Sequence, residues 1–464
     1  MNRYAIVLAA GKGTRMKSKR NDISKVSFPI LKTPLVSYVL MALEPLKLSK
    51  IVTVVGFGGE TSKEIVKDKS EVVWQLEQKG TGHAVMQVSP ILEGKEGQTI
   101  VCCGDTPLLR GETLSSFFEA HENSGNAMTV MTSILQDPTG YGRIKKVDGN
   151  VVRIIEQKDC SEEEKKITEI NAGVYVFDNK LLFESLKELT TDNAAGEYYL
   201  TDVLGILVSK GLKVGSFVVK DSIETLGVND RNQLSVAAQI IKERINLSHM
   251  LAGVTIVDPI NTYIAPGVEI GADTTIYPGT FIYGNTKIGE NNVIGPSTYL
   301  ENVEIGDDNE IIYSHLVDTY VGSKTTLGPF LRTRKNAKIG DLAHIGNFNE
   351  LKNVEFGKGS KAAHLSYLGD ATIGENVNVG CGSIIANYDG VNKFHSDIED
   401  DAFIGSGTTI ISPVHIGKRG FTAAGSTINH DVPEDAMAIA RARQENKAGY
   451  SKVLKEKALA KKRK

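Results

Sequence analysis

Along the first half of the chain, short apolar segments alternate with stretches whose apolar residues recur at helical spacing. The apolar segments predict strands over Arg3–Ala9, Ile51–Val55, Val72–Trp74 and Thr99–Cys103. The stretches between them predict helices over Pro34–Glu44, Ser62–Lys69 and His83–Leu92. Such alternation is typical of an α/β domain with a mostly parallel sheet. Ligands of these sheets bind beyond the carboxyl ends of the strands, which makes Ala10–Arg15 and Gly104–Asp105 candidates. Between residues 127 and 219 the pattern is less regular and of the α+β type.

Residues 230–251 predict one long helix that connects two domains. Asp230 is a candidate N-cap, and the apolar positions recur near 3.6-residue spacing at Leu234, Ala237, Ala238, Ile241, Ile245 and Leu247.

Beyond Gly253 the period changes to six residues. An aliphatic residue directly before glycine occurs at Ile270, Ile288, Ile294, Ile305, Val321, Leu327, Ile339, Ile345, Ile373, Val379, Ile404 and Ile416. Several of these glycines are six residues apart or a multiple of six, which is the hexapeptide signature of a parallel β-helix. Each hexad predicts a short strand and a turn, with the aliphatic side chain inside the column and glycine tolerating the turn. Chance hairpins of a β-sandwich are the alternative, but hairpins do not keep a six-residue phase.

A turn-rich loop interrupts the hexads at Ala386–Ser396, and loops inserted into solenoids often carry binding function. The pattern as a whole predicts four regions, with boundaries at residues 1–229, 230–251, 252–435 and 436–464.

Composition adds little except at the carboxyl end. The net charge is −3, which argues against a general nucleic-acid-binding protein. Residues 452–464 contain seven Lys or Arg and one Glu, so this segment is either a solvated, disordered tail or an arm that meets a phosphate-bearing ligand. Four cysteines without metal-ligand spacing and the lack of any long apolar run predict a cytoplasmic protein without membrane insertion.

Three segments beyond predicted strands of the first half carry candidate chemistry. Leu8–Met16, LAAGKGTRM, lacks the full dinucleotide and P-loop patterns. Its glycines nevertheless allow backbone N–H groups to approach phosphate, with Lys12, Arg15 and Lys25 as cations; the alternative is a plain strand-to-helix turn. The segment 75–84, QLEQKGTGHA, offers amide and hydroxyl groups to a nucleobase edge, or is only a loop. Asp105, in CGDTP, is a candidate ligand of a hard cation or a turn-capping residue.

In the repeat region, His364 is the candidate catalytic side chain, although a lone histidine is more often structural. Coils of about 18 residues would bring together the polar residues around it, namely Arg334, Lys352, Asn378, Asn387, Tyr388 and Lys393. Clustered cations on such a face favour a phosphorylated ligand.

Together these motifs resemble the bacterial family of bifunctional N-acetylglucosamine-1-phosphate uridylyltransferases and glucosamine-1-phosphate acetyltransferases. The resemblance covers essentially the whole chain and is most specific in KAAHLSYLGDA at 361–371 and NVNVGCGSIIANYDGVNKF at 376–394. Further similar segments are DPTGYGRI at 137–144, IEQKD at 155–159, INAG at 170–173, LGVNDR at 226–231 and AAGST at 423–427.

The resemblance implies an α/β nucleotidyltransferase domain, Rossmann-like with a mostly parallel sheet, joined by a helix to a left-handed parallel β-helix of hexapeptide repeats. It implies two-step synthesis of UDP-N-acetylglucosamine for peptidoglycan and cell-wall biogenesis. Its substrates would be glucosamine-1-phosphate, acetyl-CoA, UTP and N-acetylglucosamine-1-phosphate, with Mg²⁺ as cofactor. It also implies a homotrimer with acetyl-transfer sites at subunit boundaries.

The resemblance further implies a role for each matching residue. Asp105 and Asn229 would hold Mg²⁺, and Arg15 and Lys25 would face the triphosphate as catalytic cations. The nucleotide and sugar would be bound by Leu8, Ala9, Ala10, Gly11, Lys25, Gln75, Gly80, Thr81, Cys103, Gly104, Gly140, Glu156, Asn171 and Asn229. His364 would be the general base of acetyl transfer. Glucosamine-1-phosphate would be bound by Arg334, Lys352, Tyr367, Asn378 and Lys393, and acetyl-CoA by Cys381, Asn387, Tyr388, Ser406, Ala424 and Arg441.

The chain departs from the family pattern near Lys25. The family typically has Pro-Lys-Val seven residues after the loop arginine, whereas Ser24-Lys25-Val26 places Lys25 ten residues after Arg15. Because proline would stiffen this loop, its loss predicts a less firmly positioned Lys25. Cys103 stands where tyrosine is frequent, and Arg334-Lys335-Asn336 replaces Arg-Pro-Gly.

Two alternatives to a bifunctional enzyme remain at this stage. One is a single-activity sugar-1-phosphate nucleotidyltransferase whose β-helix only scaffolds or regulates. The other is a non-enzymatic scaffold of the initiation-factor subunit type. The segments around His364 and Asn387 disfavour the first, and the Gly-Lys-Gly loop with Asp105 and Asn229 disfavours the second.

Overall fold

The computed structural model describes residues 2–20, 22–193 and 195–462. The chain forms two compact units, Met1–Ile245 and Asn246–Lys464, and the boundary falls inside one long helix. Each unit is described by itself. Within the described residues, no helix combines the length and the apolar character that a bilayer crossing requires.

The first unit is an α/β domain. Its strands are β1 (Arg3–Ala9), β2 (Pro29–Ile30), β3 (Thr33–Pro34), β4 (Lys50–Val55), β5 (Glu71–Trp74), β6 (Gln98–Cys103), β7 (Met128–Ile134), β8 (Arg143–Val147), β9 (Asn150–Ile155), β10 (Glu169–Asp178) and β11 (Val214–Val218). Its helices are α1 (Leu35–Leu43), α2 (Gly59–Val66), α3 (Thr81–Met86), α4 (Ser89–Leu92), α5 (Gly111–Ser124), α6 (Asn179–Leu186), α7 (Asp202–Ser209) and α8 (Arg231–Leu251). Single 3₁₀ turns lie at Thr14–Met16, Lys25–Ser27, Glu44–Leu46, Glu164–Lys166 and Ser222–Thr225.

The main sheet has the strand order β11-β7-β10-β6-β1-β4-β5. Pairing is parallel for β1 with β4 and β6, for β4 with β5 and for β7 with β11, so the predicted mostly parallel sheet is confirmed. β10 runs antiparallel between β6 and β7. Alternate residues of β1 enter two different cores, one on each face of the sheet. Burial on both faces explains why this strand is a continuous apolar run rather than an alternating one.

One helix differs from the sequence-based prediction, and the predicted start of another is confirmed. The helix predicted over His83–Leu92 is divided into α3 and α4, because Pro90 at the start of α4 cannot supply the backbone N–H that a continuous helix needs. The predicted N-cap of α8 is present, since the Asp230 carboxylate accepts a hydrogen bond from the N–H of Gln233 (2.8 Å).

The second unit is a stack of short parallel strands in two long ladders. The strands are β12 (Thr255–Ile256), β13 (Tyr263–Ile264), β14 (Glu269–Ile270), β15 (Thr275–Ile276), β16 (Phe281–Tyr283), β17 (Lys287–Ile288), β18 (Val293–Ile294), β19 (Tyr299–Ile305), β20 (Glu310–Ile311), β21 (His315–Val321), β22 (Thr326–Leu327), β23 (Arg332–Ile339), β24 (His344–Asn347), β25 (Glu350–Phe356), β26 (Lys361–His364), β27 (Tyr367–Ile373), β28 (Asn378–Val379), β29 (Ile384–Ala386), β30 (Ser396–Ile398), β31 (Phe403–Ile404), β32 (Thr409–Ile411), β33 (His415–Ile416), β34 (Phe421–Thr422), β35 (Thr427–Ile428) and β36 (Met437–Ala438). This arrangement confirms the parallel β-helix and is consistent with the left-handed form.

The coils are close to the predicted 18 residues but not uniform. Thr326 pairs with His344 and Lys361 with Asn378, one coil later in each case. Asn378 pairs with Phe403, a longer step that holds the loop predicted at 386–396. Of the twelve aliphatic residues before glycine, eleven are at most 4% exposed, whereas Ile270 in an early coil is only half-buried.

The repeat glycines serve a different purpose from the one expected. Only Gly295 and Gly328 of the twelve have a positive φ, so turn geometry does not explain the others. A Cβ on Gly271 or Gly289 would lie 2.6–2.8 Å from backbone atoms of the corresponding glycine one coil later. Glycine is therefore required because successive coils approach too closely for a side chain. Left-handed backbone occurs two residues after the glycine instead, for example at Asn291.

The basic carboxyl-terminal segment forms a helix, α9 (Tyr450–Lys462), all of whose described side chains are exposed. Of the two alternatives for residues 452–464, disorder is therefore contradicted for residues 452–462, whereas their solvent exposure is confirmed. Arg463 and Lys464 lie outside the described residues.

Candidate functional sites

A cleft of about 280 Å³ opens in the first unit where β1, β5 and β6 end. Its lining combines residues from all three strand ends with a segment from further along the chain: Leu8, Ala9, Ala10, Gly11, Lys25, Val26, Gln75, Gln78, Gly80, Thr81, Ala84, Cys103, Asp105 and Glu197. Most of the residues predicted to bind the nucleotide lie here. Gly104 lies between the lining residues Cys103 and Asp105, and its N–H donates to the carbonyl of Leu8, which also lines the cleft (2.9 Å).

The segment predicted to read a nucleobase is held by hydrogen bonds on both sides. The buried Gln75 uses its amide nitrogen to contact the Gly80 carbonyl (3.0 Å) and His83 Nδ1 (3.1 Å), which orients the carboxamide. Thr81 Oγ1 accepts from the Leu200 N–H (3.0 Å). Gly80 has φ of 108°, and a Cβ there would lie 2.5 Å from the Tyr198 carbonyl oxygen, so only glycine fits.

Charged and amide groups converge at the phosphate end of the cleft. The Lys25 ammonium contacts the Asp105 carboxylate and donates to Asn229 Oδ1 (3.1 Å). Arg15 Nη2 donates to the same Asn229 oxygen (2.8 Å). Two cations, one carboxylate and one carboxamide oxygen therefore share one small volume, which is the composition needed to bind a polyphosphate together with a divalent cation.

Backbone contacts fix the two oxygen donors. The Val228 N–H donates to the Asp105 carbonyl (2.8 Å), and the Asn229 N–H donates to Gln233 Oε1 in the first turn of α8 (2.7 Å). Arg231 stacks over the Phe28 ring and donates to the Met16 carbonyl (3.2 Å), which ties the Arg15 turn to the same helix.

The donor set fits a magnesium ion, although only two protein oxygens contribute. Asp105 and Asn229 both reach the Lys25 ammonium and so present their oxygens to a common point. Magnesium is usually held by one or two carboxylates together with substrate phosphates and waters. Among the described residues there is no group of three or more His, Cys, Asp or Glu side chains with metal-binding geometry.

The residues predicted to bind the sugar form a second group beside the cleft. The Asn171 amide donates to the Tyr175 hydroxyl (2.7 Å), and its Oδ1 accepts from the Gly173 N–H (3.0 Å). Cys103 Sγ, which lines the cleft, lies 3.9 Å from the Gly173 carbonyl oxygen and joins the two groups. Burial raises the pKa of the Cys103 thiol to about 12, so this side chain is a neutral wall.

Gly140 and Glu156 complete this group. Gln157 Oε1 accepts from the Gly140 N–H (3.1 Å) and from the buried Arg143 (2.8 Å), which fixes the Gly140 turn. Burial, with the charges of Asp159 and Asp202, raises the pKa of Glu156 above its usual range. A carboxyl group in this setting is suited to hydrogen bonding with sugar hydroxyls rather than to pairing with a cation.

In the second unit His364 ends β26 and lies beside Asn347, one coil earlier, with which it is in register. His364 Nδ1 is 3.1 Å from Asn347 Oδ1. Because an amide oxygen only accepts hydrogen bonds, this contact places the proton of neutral His364 on Nδ1 and leaves Nε2 able to accept a proton. The ring is exposed, so a substrate can reach it.

Two lysines predicted to bind glucosamine-1-phosphate are neighbours. Lys352, as hydrogen-bond partner and as a like charge, lowers the pKa of Lys393. Lys352 is 3.7 Å from the Asp370 carboxylate, which balances part of the charge. Paired ammonium groups are a favourable place for a dianionic phosphate.

The buried Asp370 is the centre of this cluster. Its carboxylate accepts hydrogen bonds from the amides of Asn387 and Asn353, the latter at 2.8 Å, in addition to the Lys352 contact. It thus connects the predicted phosphate-binding residues with the predicted acetyl-CoA-binding loop.

The other predicted sugar-phosphate residues are less closely joined. Arg334 Nη1 pairs with Glu350 Oε1 (3.1 Å), and Tyr367 lies in register with Glu350 one coil later. Asn378 belongs to the other ladder, where it pairs with Lys361 in the strand of His364.

Residues predicted to line acetyl-CoA form a column that continues from His364. The Gly382 N–H donates to the Leu365 carbonyl (2.9 Å), and the Gly407 N–H donates to the Cys381 carbonyl (2.7 Å). One coil later the Gly425 N–H donates to the Ser406 carbonyl (2.8 Å), next to Ala424. The steps after Leu365 are formed by small or polar residues, namely Cys381 and Gly382, Ser406 and Gly407, and Ala424 and Gly425.

The inserted loop supplies the rest of the predicted acetyl-CoA residues. Asn387 is buried, whereas Tyr388 is exposed and its backbone bridges to Lys393. Arg441 is also exposed and directly follows Ala440, whose N–H donates to Ser426 Oγ (3.2 Å).

Sequence reasoning missed several residues of both sites. Gln78 lies in the segment 75–84, but no role was predicted for it. Glu197 reaches the cleft because the backbone of Tyr198 is hydrogen-bonded to Lys79 and Gly82, and the sequence around Glu197 does not indicate that contact. Asn347 and Asp370 could have been found by counting one coil from His364 and from Asn387 respectively.

Comparisons with known proteins cover both units. The nucleotidyl transferase family model matches residues 4–230. "Bifunctional protein GlmU" of Geobacillus sp. strain WCH70 is 51% identical over 97% of this chain and 98% of its own length. Proteins with the same description are 50% identical in Halalkalibacterium halodurans, over 97% of this chain and 98% of that protein, and 49% identical in Bacillus velezensis, over 98% and 99%.

Because these matches cover nearly the whole chain, they include both the cleft of the first unit and the coils of the second. The resemblance predicted from the motifs is therefore confirmed, and the chain belongs to the family of bifunctional GlmU proteins.

Proposed function

We propose that this chain makes UDP-N-acetylglucosamine in two steps. The second unit transfers the acetyl group of acetyl-CoA to glucosamine-1-phosphate, and the first unit then transfers the uridylyl group of UTP to N-acetylglucosamine-1-phosphate with release of pyrophosphate. The observation that carries the proposal is that each unit has its own anion site, Lys25 with Arg15 in one and Lys352 with Lys393 in the other.

Acetyl transfer begins with the sugar phosphate on Lys352 and Lys393, supported by Arg334, Tyr367 and Asn378. His364 Nε2 takes a proton from the ammonium group of the sugar, which frees the amine. The amine nitrogen attacks the thioester carbonyl, the new C–N bond forms, and the C–S bond breaks. The coenzyme A thiolate leaves and takes up the second proton, which the nitrogen loses as it becomes an amide, so the products are N-acetylglucosamine-1-phosphate and free coenzyme A.

Acetyl-CoA lies along the column next to His364 in this proposal. Its contacts come from small or polar residues and from the inserted loop, namely Cys381, Asn387, Tyr388, Ser406, Ala424 and Arg441. The Asp370 carboxylate contacts Asn387 of the proposed acetyl-CoA site and Lys352 of the proposed sugar-phosphate site. This shared contact supports the proposal that the two substrates bind next to each other.

Uridylyl transfer needs no covalent enzyme intermediate. A phosphate oxygen of N-acetylglucosamine-1-phosphate attacks the α-phosphorus of UTP in line and forms a new P–O bond. The bond from the α-phosphorus to the oxygen that bridges the α- and β-phosphates breaks, and pyrophosphate leaves. Lys25 and Arg15 stabilise the negative charge that builds up on the phosphate oxygens. Gln75, Gly80 and Thr81 bind the uridine, with the strand ends at Leu8–Gly11 and Cys103–Gly104 forming the floor.

The sugar would be held by Gly140, Glu156 and Asn171, whose group adjoins the cleft at Cys103. Asp105 and Asn229 would hold Mg²⁺. Bound there, the ion supplies positive charge that neutralises the triphosphate and orients it.

The chain is further proposed to act as a homotrimer in the cytoplasm. An exposed apolar ladder supports association of chains: Tyr313, Phe330, Phe348 and Leu365 follow one another along one corner of the β-helix, each 44–58% exposed and each with a positive φ. Bulky side chains rarely adopt this backbone conformation, and a solvated apolar ladder would have no stabilising role. A solution mass of three times the 50.2 kDa chain mass would support the trimer.

The experiment that tests the function uses the purified chain with glucosamine-1-phosphate, acetyl-CoA, UTP and Mg²⁺. Free thiol and pyrophosphate are followed separately. Release of both, with pyrophosphate dependent on acetyl-CoA, is the expected result. Pyrophosphate release only when N-acetylglucosamine-1-phosphate is added directly would indicate a single-activity nucleotidyltransferase, and release of neither would indicate a scaffold.

A further inference from the structure

A closed cluster of three serine hydroxyls flanks Lys25. Ser24, Ser27 and Ser62 have Oγ–Oγ distances of 2.7, 3.0 and 3.1 Å, so each touches the other two. Ser24 and Ser62 are 0% exposed and Ser27 is 8% exposed. In such a ring every hydroxyl can donate one hydrogen bond and accept one, so no buried polar group is left without a partner.

The cluster joins the residues around Lys25 to α2. Ser24 and Ser27 bracket Lys25 in the 3₁₀ turn Lys25–Ser27, whereas Ser62 lies on α2. One hydrogen bond and one close approach of two backbones anchor the segment just before the turn. Thr61 Oγ1 donates to the Asp22 carbonyl (2.7 Å), and a Cβ on Gly58 would lie 2.5 Å from the Ser24 nitrogen. The segment from Asp22 to Ser24, at the end of the loop that is longer than in the family pattern, is therefore fixed against α2 and the residue before it.

The glycine-containing segment Leu8–Met16 packs against Lys25 from the opposite side. Gly13 has a positive φ, and a Cβ on it would lie 2.6 Å from the Lys25 Cβ, so the two backbones are in close contact. Ser24 itself has φ of −77°, within the range that a proline ring would impose. The serine cluster thus maintains through hydrogen bonds a backbone conformation that proline would fix covalently.

We propose that Ser24, Ser27 and Ser62 are positioning residues that hold the Lys25 ammonium at the triphosphate during uridylyl transfer. This inference rests on the proposed role of Lys25 in that reaction. The serines touch no substrate; they act because a shift of the turn would move the ammonium away from the charge it stabilises.

The first test is Ser62→Ala in the full-length chain. We expect kcat for uridylyl transfer to fall roughly tenfold, within the ~10²-fold limit associated with a misplacement of 1 Å, and KM for UTP to change much less. Acetyl transfer by the same chain serves as an internal reference and should be unchanged. The matched control is Ser70→Ala, which removes another buried serine hydroxyl of the first unit, one that is 2.7 Å from Thr53 Oγ1 and donates to backbone carbonyls of β4 and β5 rather than to the serine cluster. The control should retain its uridylyl kcat within twofold.

A second test separates positioning from a general structural role. Ser62→Ala is also made in a Lys25→Gln background. If Ser62 acts through Lys25, its removal costs little in a chain that already lacks the ammonium, so the two effects are strongly non-additive. An equal loss of kcat in both backgrounds, or no loss in either, would overturn the inference. Full activity of Lys25→Gln alone would instead overturn the role of Lys25 in the proposed function.

Ser27→Ala provides an independent variant if Ser62→Ala lowers the unfolding temperature of the first unit. It removes a different corner of the cluster, at the less buried position. The same loss of uridylyl kcat and the same non-additivity with Lys25→Gln are expected. A Ser27→Ala chain with unchanged kcat in both backgrounds would contradict the proposal.

Discussion

The two units assemble their charged sites over very different distances along the chain. In the α/β unit, Lys25 meets Asp105, 80 residues later, and Asn229, 204 residues later, because separate strand ends share one edge of a sheet. In the β-helix, His364 meets Asn347, and Asn387 meets Asp370, each 17 residues away, because successive coils stack. A site in the repeat can therefore be found by counting coils, whereas the cleft depends on a topology that no local spacing reveals.

The largest expected effect concerns His364. His364→Ala should lower acetyl transfer by ~10²–10⁴-fold, because the positioned general base for the sugar ammonium is then lost. Uridylyl transfer from added N-acetylglucosamine-1-phosphate should stay within twofold of the parent chain. Both rates are measured on the same preparation. His415→Ala, at an exposed position of the same unit, is the control, and retention of full acetyl transfer by His364→Ala would refute the assignment.

The counterpart in the first unit is Asp105→Ala. Loss of the carboxylate beside Lys25 and Asn229 should lower uridylyl transfer by ~10²–10³-fold, because the site would then hold less firmly the Mg²⁺ that neutralises the triphosphate. Acetyl transfer should persist. Asp68→Ala, at an exposed position, is the matched control. Normal uridylyl transfer by Asp105→Ala over a titration of Mg²⁺ would remove Asp105 from the site.

A smaller effect is expected for Asp370→Asn, which tests whether the Asp370 carboxylate helps to keep Lys393 charged. Its negative charge raises the pKa of Lys393 and so opposes the lowering by Lys352. Without it, the pKa of Lys393 falls further, and Lys393 loses its positive charge at a lower pH. KM for glucosamine-1-phosphate should therefore begin to rise at a lower pH than in the parent chain.

Asp401→Asn is the control for that measurement, because Asp401 also has a positive φ but is exposed. Asparagine tolerates this backbone conformation, so both variants are free of backbone strain. An unchanged pH dependence of KM in Asp370→Asn would show that Asp370 does not govern the charge of Lys393.

The smallest expected effects are on stability, and they compare a Gly→Ala substitution in each of the two units. Gly289→Ala places a Cβ 2.8 Å from the Gly306 carbonyl oxygen and should destabilise the β-helix by about 1–3 kcal/mol. Gly205→Ala lies in the exposed part of α7, with no atom within 4 Å of the added Cβ, and should stabilise the α/β unit by about 0.4–1 kcal/mol. Urea unfolding monitored for each unit measures both; the same sign for the two substitutions would contradict the close-approach role of the repeat glycines.

The elements of the fold could be predicted where one physical constraint dominates. Buried strands such as β1 and the aliphatic positions of the hexads were predicted because burial requires their side chains to be apolar. The division of α3 from α4 was missed, although Pro90 was visible, because helical spacing continues across it. The role of the repeat glycines was misjudged, since sequence alone does not show how closely two coils approach.

The sites show the same limit. Lys25 lines the cleft and contacts Asp105, whereas a looser positioning of Lys25 without the proline stays a prediction. What fixes the turn at Lys25 is a cluster that includes Ser62, 37 residues away, and serine carries no signal of such a role. Asp370 was overlooked because it lies within β27 at a position of positive φ, where Asp and Asn are common for conformational reasons alone.

The central claim is that two independent sites in one chain act in sequence, and mixing two inactive variants tests it most directly. His364→Ala and Asp105→Ala are each incubated with glucosamine-1-phosphate, acetyl-CoA, UTP and Mg²⁺, alone and together, and UDP-N-acetylglucosamine is measured over time. Each alone should form almost none, whereas the mixture should form it after a lag in which N-acetylglucosamine-1-phosphate accumulates. A mixture as inactive as its components, or a single variant that forms the product at the parent rate, would contradict the account.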